Sequence, residues 1–196
     1  MNPFKITYPD SDNNSKLYTT ISNNISDKVN GGGFRTDFGL HKKGLEDIDS
    51  FVRWIMPLVP LVAHNFSSYS SFGVEDLTKV KETYHQKQVI TYGGGITGFK
   101  WDAFNLDGCW AVMYPDGEGV KEHNHFPYPI SFCYYVNFPF GSSPIIFENY
   151  GEIYPNAGDV IFFPGHEYHS VPYSSVVNNN DQRCVISGNF SYLGSD

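Results

Sequence analysis

Apolar and polar positions along this chain follow two different rhythms, and the change falls near residue 98. Over residues 45–65, Ile48, Phe51, Val52, Ile55, Leu58, Val59 and Val62 recur at the spacing of one helix face. Glu46, Asp47 and Asp49 stand near the start of that stretch, where the helix dipole favours negative charge. Pro57 and Pro60 each lack a backbone donor, so the pattern predicts a helix to about Met56 followed by a broken, irregular apolar segment with His64 at its end. Residues 74–85 predict a second, short helix with Leu77, Val80 and Tyr84 inside and His85 on the exposed side. Residues 1–44 are polar, with short strands expected at 5–8 and 16–21. Gly31-Gly32-Gly33 reads as a turn or hinge; no GK[ST] follows, so it is not a phosphate loop. Residues 89–92 read as a strand and Gly93-Gly94-Gly95 as a turn.

From Gly98 onward, runs of β-branched and aromatic residues alternate with Gly, Pro, Asn and Asp clusters. Strands are expected at 109–114, 130–138, 144–147, 159–163 and 183–192, with a turn at Pro115-Asp116-Gly117. Short strands at this spacing mean a sandwich, barrel or jelly roll. The fold class is therefore mainly β, a single domain with N-terminal helices over an outer face. Residues 1–97 act as a helical and strand support region, and 98–196 as the β core. The 14 Tyr and 16 Phe agree, because flat rings pack well on pleated faces.

Charge and cysteine content narrow the setting. The formal net charge is −8, with 13 Lys and Arg against 21 Asp and Glu, and no block of basic residues forms a patch. That balance argues against a phosphate backbone as partner. No apolar run reaches membrane-spanning length, and no signal peptide is visible at Met1-Asn2-Pro3-Phe4-Lys5. Cys109, Cys133 and Cys184 show no paired spacing, so a reducing cytoplasm is the expected compartment, with each thiol a small buried side chain.

The chemistry concentrates in Lys121-Glu122-His123-Asn124-His125. Two imidazoles at i and i+2 leave the same face of an extended segment, and two converging nitrogens are half of a site for Fe, Zn, Mn or Cu. His169 follows 44 positions after His125, and Arg183 14 positions after that. In a jelly roll, a strand end bearing His123 and His125 and a later strand bearing His169 meet at the open mouth. Three ligands on one side of a metal leave the other positions open. Glu122 faces the opposite side of an extended segment, and His166 falls in a loop; neither is the favoured ligand. On a strand over 183–191, Arg183, Val185, Ser187 and Asn189 share a face. The Arg183 fork suits a carboxylate, so Arg183 and Ser187 are placed to bind one end of a dicarboxylate. The tip Phe126-Pro127-Tyr128-Pro129 reads either as part of a substrate mouth or as a rigid turn.

These pieces resemble a family. Trp110 with Tyr114, His123-Asn124-His125, residues 131–136, residues 158–164, His169-Ser170-Val171-Pro172 and residues 183–190 stand in the order of the 2-oxoglutarate-Fe(II) oxygenases of marine bacteria and their phages, within the double-stranded β-helix superfamily. The resemblance covers roughly residues 108–192. It implies Fe(II) held by His123 and His169, with His125 between them in the motif. It implies 2-oxoglutarate held by Arg183 with Ser187 and a tyrosine, Tyr114 or Tyr135. O2 would be the co-substrate and a small molecule or protein side chain the substrate, in a bacterial cytoplasm, including one infected by a phage. The superfamily usually carries HxD or HxE, so His125 departs from the pattern. Two alternatives stand beside this. One is a cupin-type metal protein that does not use 2-oxoglutarate, although the carboxylate that cupins carry after HxH is absent from Phe126-Pro127-Tyr128-Pro129-Ile130. The other is a non-enzymatic viral jelly roll.

Overall fold

The computed structural model describes residues 3–28, 33–67, 104–173 and 182–192. The helix expected at 74–85, the strand at 89–92 and the glycine turns at 93–95 and 31–32 lie outside them.

Eleven strands and three α-helices are described: β1 (Phe4–Thr7), α1 (Asn14–Ser22), β2 (Asp27–Lys28), β3 (Phe34–Arg35), α2 (Glu46–Ile55), α3 (Val59–Ser67), β4 (Phe104–Tyr114), β5 (Val120–His123), β6 (Ile130–Asn137), β7 (Ile145–Phe147), β8 (Gly151–Ile153), β9 (Asp159–Pro164), β10 (His169–Val171) and β11 (Arg183–Tyr192). They form a seven-stranded sheet, β1-β9-β6-β11-β4-β3-β2, and a four-stranded sheet, β5-β10-β7-β8. Both sheets are antiparallel throughout.

The alternation of side chains across the large sheet sorts its residues into two cores. Phe132, Tyr134, Cys184, Ile186 and Phe190 point outward and meet the helices, where Leu17, Ile21, Ile48, Phe51, Ile55 and Val62 are buried against them. Phe51 stacks on Tyr134 at 4.6 Å between centroids. Cys133, Tyr135, Ile161, Phe163 and Val185 point inward and pack against Ile145 and Phe147 of the small sheet. The N-terminal helices thus cover the outer face, and the interior between the sheets is left for chemistry.

Two local expectations are corrected. Residues 16–21 are helical, within α1. Thr19, Thr20 and Ile21 favour strand locally, but Leu17 and Ile21, one helical turn apart, are the pair that reaches the core. The segment after Met56 is not irregular: a 3-10 turn over Met56–Leu58 runs into α3. Pro57 and Pro60 each occupy an early position of their element, where the missing N–H has no helical acceptor to lose. His64 falls in α3.

Candidate metal centre and its cavity

His123 ends β5 and is the direct cross-strand partner of His169, which begins β10. His125 lies beyond the strand. Its N–H donates to the Gly165 carbonyl at 2.6 Å, and its own carbonyl accepts from the Tyr128 N–H at 3.0 Å. This turn, and not continued extension, swings the second imidazole back toward the first. Ring centroids are 4.4 Å apart for His123 and His169, and 5.1 Å for each of the other two pairs. One nitrogen from each of the three falls within 4.8 Å of the others.

The hydrogen-bond partners set which nitrogens those are. His123 Nδ1 lies 2.8 Å from the Lys121 carbonyl, and His169 Nδ1 lies 3.1 Å from the Glu167 carbonyl. A carbonyl only accepts, so each Nδ1 carries the hydrogen and each Nε2 keeps its lone pair. Glu167, itself buried, is held by the N–H and side-chain amide of Asn149. The His125 ring sits beside Trp110 at 5.9 Å and Phe163 at 6.0 Å. Burial, then the neighbouring His169 and His123, push its pKa down to about 3. Burial, then His123, push that of His169 down to about 4, partly offset by the Glu167 carbonyl. Both imidazoles are therefore neutral at pH 7, the form that ligates metals.

The cluster opens onto a cavity of about 360 Å³ between the sheets, within the range of small-molecule sites. The predicted strand face is correct: Arg183, Val185, Ser187 and Asn189 all line it. Arg183 is 7% exposed. Its guanidinium lies 4.0 Å over the Tyr114 ring, and one terminal nitrogen donates to the Glu118 carbonyl at 3.3 Å. Its Nε is buried without a hydrogen-bond partner. Among the described residues no carboxylate pairs with it. Leaving a guanidinium buried without an anion costs several kcal/mol, a cost that an anionic ligand at this position would offset. Ser187 Oγ is 3.5 Å from Cys133 Sγ. Tyr114 and Tyr135 line the same cavity. Burial raises the Tyr114 phenol to about 12, against the lowering effect of Arg183, and burial lifts Tyr135 well above its ordinary value.

The seven residues singled out from the sequence therefore meet in one cavity. Glu122 and His166 are exposed and stand outside the His cluster. Three contributors escaped sequence reasoning. Gly165 holds His125, and a Cβ there would meet the Tyr128 carbonyl group. Arg35 and Phe38, from the N-terminal region, form one wall of the cavity. An apolar-polar alternation over Phe34-Arg35-Thr36 was the available signal, but two paired residues carry too little pattern to be read as a strand.

No protein-family model matches the sequence, and no curated protein sequence matches it. Solved structures do match in fold. The viral collagen prolyl hydroxylase from Paramecium Bursaria Chlorella virus-1, in its 2-oxoglutarate complex, aligns over 99% of this chain and 97% of its own, with TM-score 0.59 and 12% identity. The fold is that of the 2-oxoglutarate- and Fe(II)-dependent oxygenases. A Pseudomonas putida prolyl-4-hydroxylase aligns over 97% of this chain and 92% of its own, with TM-score 0.55 and 12% identity. A 2OG-Fe(II) family oxidoreductase from Burkholderia pseudomallei aligns over 96% and 84%, with TM-score 0.58 and 7% identity. Among the described residues no helix is long and apolar enough to cross a membrane.

The donor set fits a divalent first-row metal: three imidazoles, at least two of them oriented by backbone carbonyls. The buried Arg183 with its spare donor fits a carboxylate. The set carries one negative charge fewer than a two-His-one-carboxylate triad.

Proposed function

We propose that this chain is an Fe(II)- and 2-oxoglutarate-dependent dioxygenase that hydroxylates a small molecule or a protein side chain. The observation that carries the reading is Arg183, a buried cation without a counter-ion among the described residues, on the same cavity wall that faces three converged imidazoles. His123, His125 and His169 hold the metal. Arg183 takes the far carboxylate of 2-oxoglutarate, with the Ser187 hydroxyl and the Tyr114 phenol beside it. When bound, iron and 2-oxoglutarate supply the oxidising chemistry, in which O2 is consumed, CO2 and succinate leave, and a substrate C–H bond becomes C–OH.

The protein's own part is binding, orientation and exclusion of water. The Lys121 and Glu167 carbonyls lock the His123 and His169 rings, so neither rotates away when metal is absent. Phe147 and Phe163 pack 5.7 and 4.7 Å from the His169 ring and keep water off its buried side. Tyr114 lies beneath the Arg183 guanidinium, 4.0 Å from ring centre to the guanidinium carbon, and supports it from one side. The three free cysteines are all buried.

The test is anaerobic. Metal-free protein is loaded with Fe(II) and titrated with 2-oxoglutarate while the visible metal-to-ligand charge-transfer band is followed. A saturating band that disappears in Arg183→Ala, with iron content unchanged, is the expected result. Iron binding without a band overturns the 2-oxoglutarate assignment, and absence of metal binding overturns the centre itself.

A further inference from the structure

Arg35 stands on the same sheet as Arg183, on the other side of β4. Strand β3 pairs with β4 so that Arg35 stands across from Val112, whose same-face neighbours are Trp110 and Tyr114. Arg35 therefore points into the cavity, and it lines it. Its guanidinium sits 4.3 Å over the Phe38 ring, Phe38 meets Trp110 edge-on at 5.0 Å, and Trp110 meets His125 at 5.9 Å. A cation and two aromatic rings thus form a continuous run up to the metal cluster.

Three observations make this a binding wall and not packing. Arg35 Nε is buried without a hydrogen-bond partner. Its ion pair, with Asp27, is stretched to 3.9 Å on an open surface where the carboxylate is 57% exposed; solvent leaves such a pair little strength. Phe38 is 50% exposed although it is a large apolar ring at the cavity. The strand is firmly tied: the Thr36 N–H donates to the Ala111 carbonyl, the Ala111 N–H donates to Thr36 Oγ1, and the Gly33 N–H donates to the Glu118 carboxylate. Arg35 is held ready instead of swinging in solvent.

Charge around the cavity points the same way. Among the described residues its lining includes Arg35, Lys121 and Arg183 and no Asp or Glu, in a chain whose net charge is −8. A cavity lined by one sign of charge concentrates the opposite sign. Arg35 and Arg183 flank β4, Arg35 in register with Val112 and Arg183 with Tyr114, so the two cations come from separate strands of one wall.

We propose that Arg35 is a second anion anchor and that the substrate is a small organic acid, its carboxylate on Arg35 and its apolar body against Phe38 and Trp110, in front of His125. This rests on the function proposed above for the identity of the site. The Arg fork pairs bidentately with a carboxylate, and the two rings take flat or aliphatic carbon. Neutral and cationic analogues lose the anchor.

The probes are four acids, benzoate, 3-phenylpropionate, indole-3-acetate and N-acetylphenylalanine, each with its primary amide. They are titrated calorimetrically into the full chain, anaerobically, with and without saturating Fe(II) and 2-oxoglutarate. At least one acid binds about tenfold or more tightly than its amide. Arg35→Gln removes that preference, Arg35→Lys restores part of it, and Arg183→Gln leaves it in place in the titration without 2-oxoglutarate. Melting curves of the three variants confirm that each is folded. The inference is overturned if no acid is preferred to its amide, if the preference survives Arg35→Gln, or if Arg183→Gln is the variant that removes it. Binding of 2-oxoglutarate, followed in the same proteins, is expected to depend on Arg183 and not on Arg35. An acid preference that depends on Arg35, in a protein whose 2-oxoglutarate binding ignores Arg183, would sustain the anchor and overturn the proposed function alone.

Discussion

Replacing Gly165 by Ala separates damage to the metal centre from damage to the fold. A Cβ at Gly165 would lie 2.9 Å from the Tyr128 carbonyl carbon, closer still to its oxygen, and 3.4 Å from the His125 carbonyl oxygen. All three are backbone atoms, so relief requires the loop that carries His125 to move away from β9. That movement strains two hydrogen bonds, His125 N–H to the Gly165 carbonyl at 2.6 Å and Gly165 N–H to the Pro129 carbonyl at 3.2 Å. Overpacking of this kind costs ~1–3 kcal/mol, and each weakened bond adds up to ~1 kcal/mol. The expected loss is about 2–4 kcal/mol, which for a chain of this size lowers Tm by roughly 4–16 °C. Gly188→Ala provides the comparison. Its Cβ meets Phe132 Cε1 at 2.5 Å and the Gly108 carbonyl oxygen at 2.8 Å, on the helix side of the sheet. It should lower Tm comparably while leaving Co(II) affinity unchanged at temperatures where it is folded. Gly108→Ala meets only the Trp110 ring, at 3.7 Å, and should alter neither. Differential scanning fluorimetry gives Tm, and Co(II) absorption reports ligation. Gly165→Ala should weaken Co(II) binding at least tenfold, since one of three ligands is displaced. A Gly165→Ala protein that binds Co(II) like the parent would refute the argument that this contact positions His125.

Other expectations follow from the same packing and charge. Phe51→Ala removes a fully buried ring that stacks on Tyr134 and should cost about 3–5 kcal/mol, read as a lower urea midpoint. His169→Ala and His123→Ala should each cut the metal content of the purified protein while far-ultraviolet circular dichroism is retained, because each ring supplies one of three clustered nitrogens while the strands that carry them are held by backbone pairing. His41 has its pKa lowered, first by burial and then by Lys42, with Leu106 and Asp107 offsetting in part. A depressed histidine contributes stability that is fully present above its unfolded pKa and is lost as pH falls through the folded one. The drop in Tm between about pH 7.5 and 5.5 should therefore be smaller in His41→Gln than in the parent; an equal drop would exclude His41 as a source.

The sequence displayed the body of this protein because β4, β6, β9 and β11 are long or continuously apolar, and it displayed the site because the residue types are distinctive: His123 ends β5, His169 begins β10 and Arg183 begins β11. What it hid was set by partners remote in the chain. Residues 16–21 have strand-forming side chains, and only the placement of Leu17 and Ile21 under the sheet makes helix the better state. Pro57 and Pro60 look like breaks until the 3-10 turn puts each at the start of an element. Arg35 becomes a cavity residue only through its register with Val112, far away in sequence. His125 looked like one more residue of an extended strand, whereas a turn bonded to Gly165 brings it in.

The order of strands has a consequence for synthesis. β11, from Arg183 to Tyr192, is the last strand described in the chain, yet it lies in the middle of the large sheet between β6 and β4. Until it emerges from the ribosome, β4 and β6 each expose an unpaired edge of apolar residues, and such edges recruit other chains. The buried Arg183 of the cavity arrives on that same strand. Closing the sheet and completing the cavity are thus one event, so a nascent chain has no half-built pocket that could capture a ligand early. The closure joins residues far apart in sequence, which predicts slow refolding, and a chain halted before β11 would be a target for chaperones and proteases.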